Sequence, residues 1–174
     1  MGKIGRILIA EDEKELLDSL AEALEDTVEE VVCCLDGEAA FQVLANRKVP
    51  FDAVLSDINM PKLNGIQLLQ KLRATGSEVP YVILTGHGDK DLAVQALKLG
   101  AFDFLDKPCK TFKVVETMQR AIELGREINK WSGEESIQEA LKDVSADKNE
   151  ESTTRFLRAM GHVVRGVLQK RKPK

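Results

Sequence analysis

A chain of 174 residues, 43% hydrophobic and 31% charged with a formal net charge of -4, is long enough for one sizeable core and a small appendage. Its acidic balance argues against a protein that coats nucleic acid along its whole surface. No apolar run reaches the roughly 20 residues that span a bilayer. The N-terminus lacks the apolar region of a signal peptide, and Arg6 stands where a myristoylation motif wants Ser or Thr, so a cytoplasmic protein is expected. Cys33, Cys34 and Cys109 are odd in number and lack metal-ligand spacing, and adjacent strand residues point to opposite faces. Buried, reduced thiols are the expectation.

The first element is Arg6-Ile7-Leu8-Ile9-Ala10, a strand that runs into Glu11-Asp12-Glu13 and is apolar on both faces, as a central strand of a parallel sheet is. Leu16, Leu17, Leu20 and Leu24 then recur at helical spacing through about residue 26. A second strand over 30–35 stops before Asp36-Gly37, and Ala39, Ala40, Val43 and Leu44 share one face of a second helix. The third strand, 51–55, lies between Pro50 and the turn signals Met60-Pro61 and Asn64-Gly65, with Asp57 at its carboxyl end. Ile66, Leu69 and Leu72 mark a third helix closed by Gly76. The fourth strand, 81–84, ends in Thr85-Gly86-His87-Gly88, and a fourth helix uses Leu92, Ala93, Ala96 and Leu97, with Gly100 past its end. A short fifth strand, 102–105, leads to Asp106-Lys107-Pro108. The fifth helix carries Val114, Val115, Met118, Ile122 and Ile128.

Five strands alternating with five helices over residues 1–130 predict an α/β domain, a doubly wound parallel sheet with helices on both faces, and right-handed crossovers leave few topologies. Glu11 and Asp12 then end strand one, Asp57 ends strand three, Thr85 ends strand four and Lys107 follows strand five, so all converge on the sheet edge where ligands collect. Each has an ordinary reading taken singly: Asp57 a turn or helix cap, Glu11-Asp12 a helix-start acidic pair, Thr85 a strand-end cap, Lys107 a surface lysine. Their conjunction is harder to obtain by chance. Three packed carboxylates raise one another's pKa unless a cation sits among them. Oxygen-only ligands suit a hard divalent ion, Mg²⁺ above all, with Mn²⁺ able to substitute. Asp57 would then stay ionised and exposed as a nucleophile for phosphoryl transfer through an aspartyl-phosphate. Lys107 would neutralise phosphoryl oxygens and the Thr85 hydroxyl would donate a hydrogen bond.

Four stretches in order, residues 7–13, Ser56-Asp57-Ile58-Asn59-Met60-Pro61, Leu84-Thr85-Gly86-His87-Gly88 and Asp103-Phe104-Leu105-Asp106-Lys107-Pro108, resemble the receiver domain of bacterial two-component response regulators. Residues 84–108 look especially like receivers of the nitrogen-regulator and nitrogen-fixation-regulator types. The resemblance covers residues 4 to about 128 and implies a flavodoxin-like sheet of order 2-1-3-4-5. It further implies phosphorylation of Asp57 by a sensor histidine kinase or phosphotransfer protein, with Mg²⁺ held by Asp12, Asp57 and the Asn59 backbone carbonyl and with Glu11 assisting through water. Thr85 and Lys107 would bind the phosphoryl group, and the Lys107–Pro108 bond would be cis. Phe104 takes the place of the family's aromatic switch residue, which is often Tyr, and Asn59 and His87 flank the site where the family tunes hydrolysis. The face changed by the Thr85 and Phe104 switch would comprise helix four, strand five and helix five, and would contact a downstream protein effector or a second protomer. No independent substrate turnover is expected beyond self-phosphorylation and self-dephosphorylation.

Residues 131–174 form a helical C-terminal extension in this reading. Ser132-Gly133-Glu134-Glu135 fits a capping box before Ile137, Ala140, Leu141 and Val144, which predicts a short helix over about 134–145. After a polar linker, Phe156, Leu157, Met160, Val164, Val167 and Leu168 share a face of a helix over about 153–169, weakened by Gly161 and Gly166. Residues 131–151 hold seven acidic and two basic side chains, whereas 152–174 hold no acidic and seven basic ones. Such a basic amphipathic segment can pack on the domain or on a second protomer, or dock into a partner's groove. Nucleic acid and membrane fit less well, since there is no helix-turn-helix length and the apolar face has one Phe and no Trp. Three other functions remain as alternatives. A phosphatase or phosphotransferase acting on a free substrate would also use an Asp nucleophile with Mg²⁺, but the haloacid-dehalogenase type wants a second Asp where Asn59 stands. A flavin-binding flavodoxin would not place Glu11-Asp12-Glu13 against a phosphate. A DNA-contacting regulator would use the basic C-terminal helix.

Overall fold

The structure is a computed structural model and describes residues 2–46, 48–86 and 90–130. His87 and the helices expected within 131–174 lie outside the described residues. Strands β1 (Arg6–Ala10), β2 (Glu30–Cys34), β3 (Ala53–Asp57), β4 (Tyr81–Thr85) and β5 (Asp103–Asp106) alternate with helices α1 (Lys14–Glu25), α2 (Gly37–Asn46), α3 (Gly65–Ala74), α4 (Lys90–Lys98) and α5 (Thr111–Lys130). All strand pairings are parallel and the order is β2-β1-β3-β4-β5, the flavodoxin-like arrangement expected from the sequence.

The two-residue period of the strands sorts their side chains into two cores. Leu8, Val54, Tyr81 and Ile83 pack with Ala40, Leu68, Leu69 and Ala96 from α2, α3 and α4. Ile7, Ile9, Leu55 and Val82 pack with Leu17, Leu20, Leu24, Met118 and Ile122 from α1 and α5. Each large aliphatic side chain buried this way contributes about 1.5–3 kcal/mol relative to exposure. The Asn64-Gly65 turn signal proves to be a helix start. The Asn64 side chain accepts from the Gln67 N–H at 2.8 Å and the Gln67 side chain accepts from the Asn64 N–H at 3.0 Å, a reciprocal capping box. A Cβ on Gly65 would strike the Asp57 carbonyl, so only glycine lets α3 begin this close to the end of β3.

Several strand boundaries differ from the sequence pattern. β3 spans Ala53–Asp57 rather than 51–55, because Phe51 and Asp52 serve a different purpose. The Asp52 carboxylate accepts from the Arg6 N–H at 2.8 Å and from the Asn129 side chain at 2.9 Å. Gly125 packs against the Asp52 carbonyl so closely that a Cβ would collide with it. These contacts fasten α5 to the amino edge of the sheet. β2 stops at Cys34, leaving Leu35 49% exposed, and β5 starts at Asp103.

The cysteine expectation is corrected at one position. Cys34 is buried and Cys109 half-buried, but Cys33 is exposed. β2 is an edge strand, so the helices do not cover its α1 side completely. Burial pushes the Cys34 thiol up to about 11. Arg73, near the end of α3, is largely buried and donates to the carbonyls of Ser77 at 2.9 Å, Val79 at 3.0 Å and Gly100 at 2.9 Å. It thereby ties α3 to the entry of β4 and to the turn after α4. No helix among the described residues is long and apolar enough to cross a membrane.

Candidate phosphoacceptor site

The carboxyl edge of the sheet gathers the residues singled out above. β1 delivers Glu11, 1% exposed, and then the exposed Asp12, while β3 ends in Asp57, 4% exposed. The expectation of an exposed Asp57 is therefore corrected, because Gly65 and the start of α3 close over the end of β3. Carboxylate oxygens of Glu11, Asp12 and Asp57 all lie within 4.8 Å of one another. Lys107, just past β5, reaches across with its ammonium 2.7 Å from Glu11 Oε2 and 3.0 Å from Asp57 Oδ1. The Lys107 backbone N–H donates to the Thr85 carbonyl at 2.7 Å, which fixes the loop against the end of β4. The Lys107–Pro108 bond is cis, as the resemblance implied.

Electrostatics follow from this packing. Burial raises the Asp57 carboxyl above its usual range, the Asp12 charge adds to that, and Lys107 only partly offsets it. Glu11 is likewise raised, first by burial and then by the Asp57 charge, against the hydrogen bond from Lys107. For Lys107 burial acts to lower the ammonium's pKa, but the two carboxylates outweigh it and the net direction is upward. The mutual repulsion expected from the sequence is present, yet loss of hydration is the larger cause. Three ionised carboxylates against one ammonium leave two negative charges in excess. An all-oxygen donor set with that excess fits a hard divalent cation.

Thr85 is 3% exposed, and its hydroxyl lies 3.4 Å from both the Gly86 carbonyl and Asp106 Oδ1. Both distances are long for hydroxyl hydrogen bonds, so the group is held loosely. Asp106 was missed as a partner of Thr85; its place directly before Lys107 was the available signal. Asn59 sits exposed in the loop after β3, two residues beyond Asp57. Phe104 is 39% exposed on β5, and Val94 and Leu97 of α4 are 51% and 44% exposed.

Comparison with known proteins agrees with this geometry. Residues 7–119 match the family model described as the response regulator receiver domain. The chain is 39% identical over 118 residues to the transcriptional regulatory protein FixJ of Bradyrhizobium diazoefficiens, covering 68% of this chain and 57% of that protein. It is 35% identical over 121 residues to the C4-dicarboxylate transport transcriptional regulatory protein DctD of Pseudomonas aeruginosa, covering 70% of this chain but 26% of that protein. This chain thus spans only part of the length of both relatives. Among solved structures, a response regulator receiver domain protein from Clostridium thermocellum superposes with a TM-score of 0.65 at 31% identity, over 69% of this chain and 95% of that one. Full-length FixJ from B. japonicum gives a TM-score of 0.67 at 33% identity, over 83% of this chain and 67% of that one. With the parallel order 2-1-3-4-5 and the acidic edge that Lys107 spans, these matches establish that the chain belongs to the response regulator receiver domain family.

Proposed function

We propose that the chain is the phosphoacceptor of a two-component phosphorelay and that Asp57 takes the phosphoryl group from a phosphohistidine on a sensor kinase or phosphotransfer protein. The observation that carries this reading is the contact of Asp57 Oδ1 with the Lys107 ammonium at 3.0 Å inside a cluster of three carboxylates. A buried carboxylate of raised pKa has lost water and gained one fixed cation, which leaves its second oxygen as the attacking atom. That oxygen forms the bond to phosphorus while the bond from phosphorus to the donor nitrogen breaks. Lys107 then follows the developing charge onto the phosphoryl oxygens, and the loosely held Thr85 hydroxyl turns from Asp106 to donate to one of them. Asp12, Asp57 and the Asn59 carbonyl, with Glu11 through water, would hold Mg²⁺, which supplies neutralisation of the phosphoryl charge when bound.

The reading extends to the output. Withdrawal of Thr85 leaves room beneath β5 for the Phe104 ring to move inward, and this favours a second arrangement of the face formed by α4, β5 and α5. Val94, Leu97 and Phe104 give that face its exposed apolar surface for an effector or a second protomer. Phe104 brings no hydroxyl to that contact. Asn59 and His87 would set the lifetime of the phosphorylated state. The protein would work in the cytoplasm and turn over no free substrate.

Incubation of the chain with acetyl phosphate and Mg²⁺ tests the proposal. Mass spectrometry should find one acid-labile phosphoryl group, absent after Asp57→Ala and absent in excess EDTA. A label that survives Asp57→Ala would refute the assignment.

A further inference from the structure

The loop between β3 and α3, residues 58–64, carries the Asn59 carbonyl. Ile58, Met60 and Leu63 anchor the loop in the core, none of them more than 8% exposed. The Ile58 carbonyl accepts from the Met60 N–H at 3.3 Å and from the Gly65 N–H at 2.9 Å, which closes the loop on itself. The first of these bonds orients a group of the site. A peptide unit is planar and trans, so a Met60 N–H turned toward Ile58 turns the Asn59 carbonyl of the same unit the opposite way.

Lys62 lies further along this loop at φ +66°, the one non-glycine residue with positive φ among the described residues. The Leu63 N–H donates to the Pro61 carbonyl, two residues back, at 2.8 Å, so Lys62 is the centre of a γ-turn of the rare, strained form. Such strain persists only where the surroundings hold it, and two contacts with the start of α2 do so. Lys62 Nζ lies 2.6 Å from Asp36 Oδ2, while Asp36 Oδ1 accepts from the Ala39 N–H at 2.7 Å and caps α2. The Leu63 carbonyl packs so closely on Gly37, the first residue of α2, that a Cβ there would collide with it. Burial does not hold Lys62 in place, because 66% of its side chain is exposed. Glycine would make the same turn without strain. What lysine adds at this position is the ion pair.

We propose that Lys62 is a positioning residue for the divalent-cation site: its ion pair with Asp36 clamps the γ-turn against α2 and thereby fixes the direction of the Asn59 carbonyl. The proposal deepens the phosphoacceptor reading and rests on it, since it takes that carbonyl as a ligand. An ion pair this exposed can supply at most about a fivefold change in affinity.

Mn²⁺ binding to the full chain without phosphodonor, read from the free-ion signal in electron paramagnetic resonance, tests the clamp. Lys62→Gly should weaken binding about threefold to fivefold. The sign is decisive, because loss of a positive charge would by Coulomb attraction alone tighten cation binding. Lys62→Arg keeps the ion pair and should bind as wild type does. Asp36→Ser keeps a helix-capping oxygen but not the ion pair; it should weaken binding in the wild-type background and add little to Lys62→Gly, since both changes break one contact. Lys71→Gln, which breaks the neighbouring α2–α3 ion pair with Glu38 at 3.1 Å, should leave binding unchanged. The proposal is overturned by Mn²⁺ binding in Lys62→Gly as tight as wild type or tighter, by additive losses in the double variant, or by an equal loss in Lys71→Gln. Wild-type binding that survives Asp57→Ala unchanged would strike the cation site itself, and this proposal with it. Binding that depends on Asp57 but not on Lys62 strikes this proposal alone.

Discussion

Asp52 and Asp57 are both buried aspartates, five residues apart, at opposite edges of one sheet, and the fold treats them in opposite ways. Asp52 is 6% exposed and accepts from the Arg6 N–H and the Asn129 side chain, neutral donors fixed by β1 and α5. Asp57 is 4% exposed, but its side chain meets the Lys107 ammonium, shared with Glu11, at 3.0 Å and two further carboxylates. Donors that cannot leave turn a buried carboxylate into a fastening. A cation that can be shared, beside repelling neighbours, keeps it poised for a partner that brings more positive charge.

The largest effect should come from removing that shared cation. Lys107→Ala strands Glu11 and Asp57 without a counter-charge and should cost about 3 kcal/mol at pH 7.5 in chelator, measured by urea unfolding. An unchanged midpoint would mean that the two carboxylates are hydrated and the contrast with Asp52 is false. Next, Asp52→Ala orphans the Arg6 N–H and removes one partner of the Asn129 amide, which keeps the Phe51 carbonyl at 3.2 Å, and should cost about 2 kcal/mol. It should leave phosphoryl labelling of Asp57 in place.

A smaller effect has the opposite sign. Glu11 and Asp57 are raised above their ordinary values, so the folded state prefers their protonated forms. That stabilisation is complete below the unfolded pKa values near 4 and is lost as pH rises through the raised ones. The chelated protein should therefore melt at a higher temperature at pH 5.5 than at pH 7.5. Asp57→Asn should flatten this difference and stabilise the protein at pH 7.5 on the order of 1 kcal/mol. A melting temperature that falls on acidification over this window would contradict the assigned directions. The smallest test lies on β2, where Cys33 should be alkylated at pH 8 and Cys34, buried with a thiol pKa pushed up to about 11, should remain unmodified in the native protein.

The same contrast explains what the sequence could disclose. Strand ends carrying Glu11, Asp57, Thr85 and Lys107 are legible because parallel alternation sends every carboxyl end to one edge, whatever the details of packing. Asp52 was unreadable by that route, since its partners lie 46 and 77 positions away and two of the three groups involved are backbone or amide. Period-two alternation assigns Cys33 and Cys34 to opposite faces but cannot say which face of an edge strand is left open. Arg73 resembled an ordinary basic residue in the last turn of a helix. Only the meeting of Ser77, Val79 and Gly100 carbonyls around it reveals its burial.

Arg73 also bears on how a small event at Thr85 could travel. Its guanidinium holds the turn at Gly100, directly after α4, to the body of the domain, while the other end of α4 begins five residues past Thr85. Any swing of α4 would therefore pivot near Gly100. Its nine residues make an arm of about 13 Å, so a tilt of about 5° at the clamp sweeps the far end through about 1 Å. A swing of this kind would be larger toward the carboxyl edge of the sheet and smaller toward the clamp, which makes Val94, midway along the arm, the position to read it.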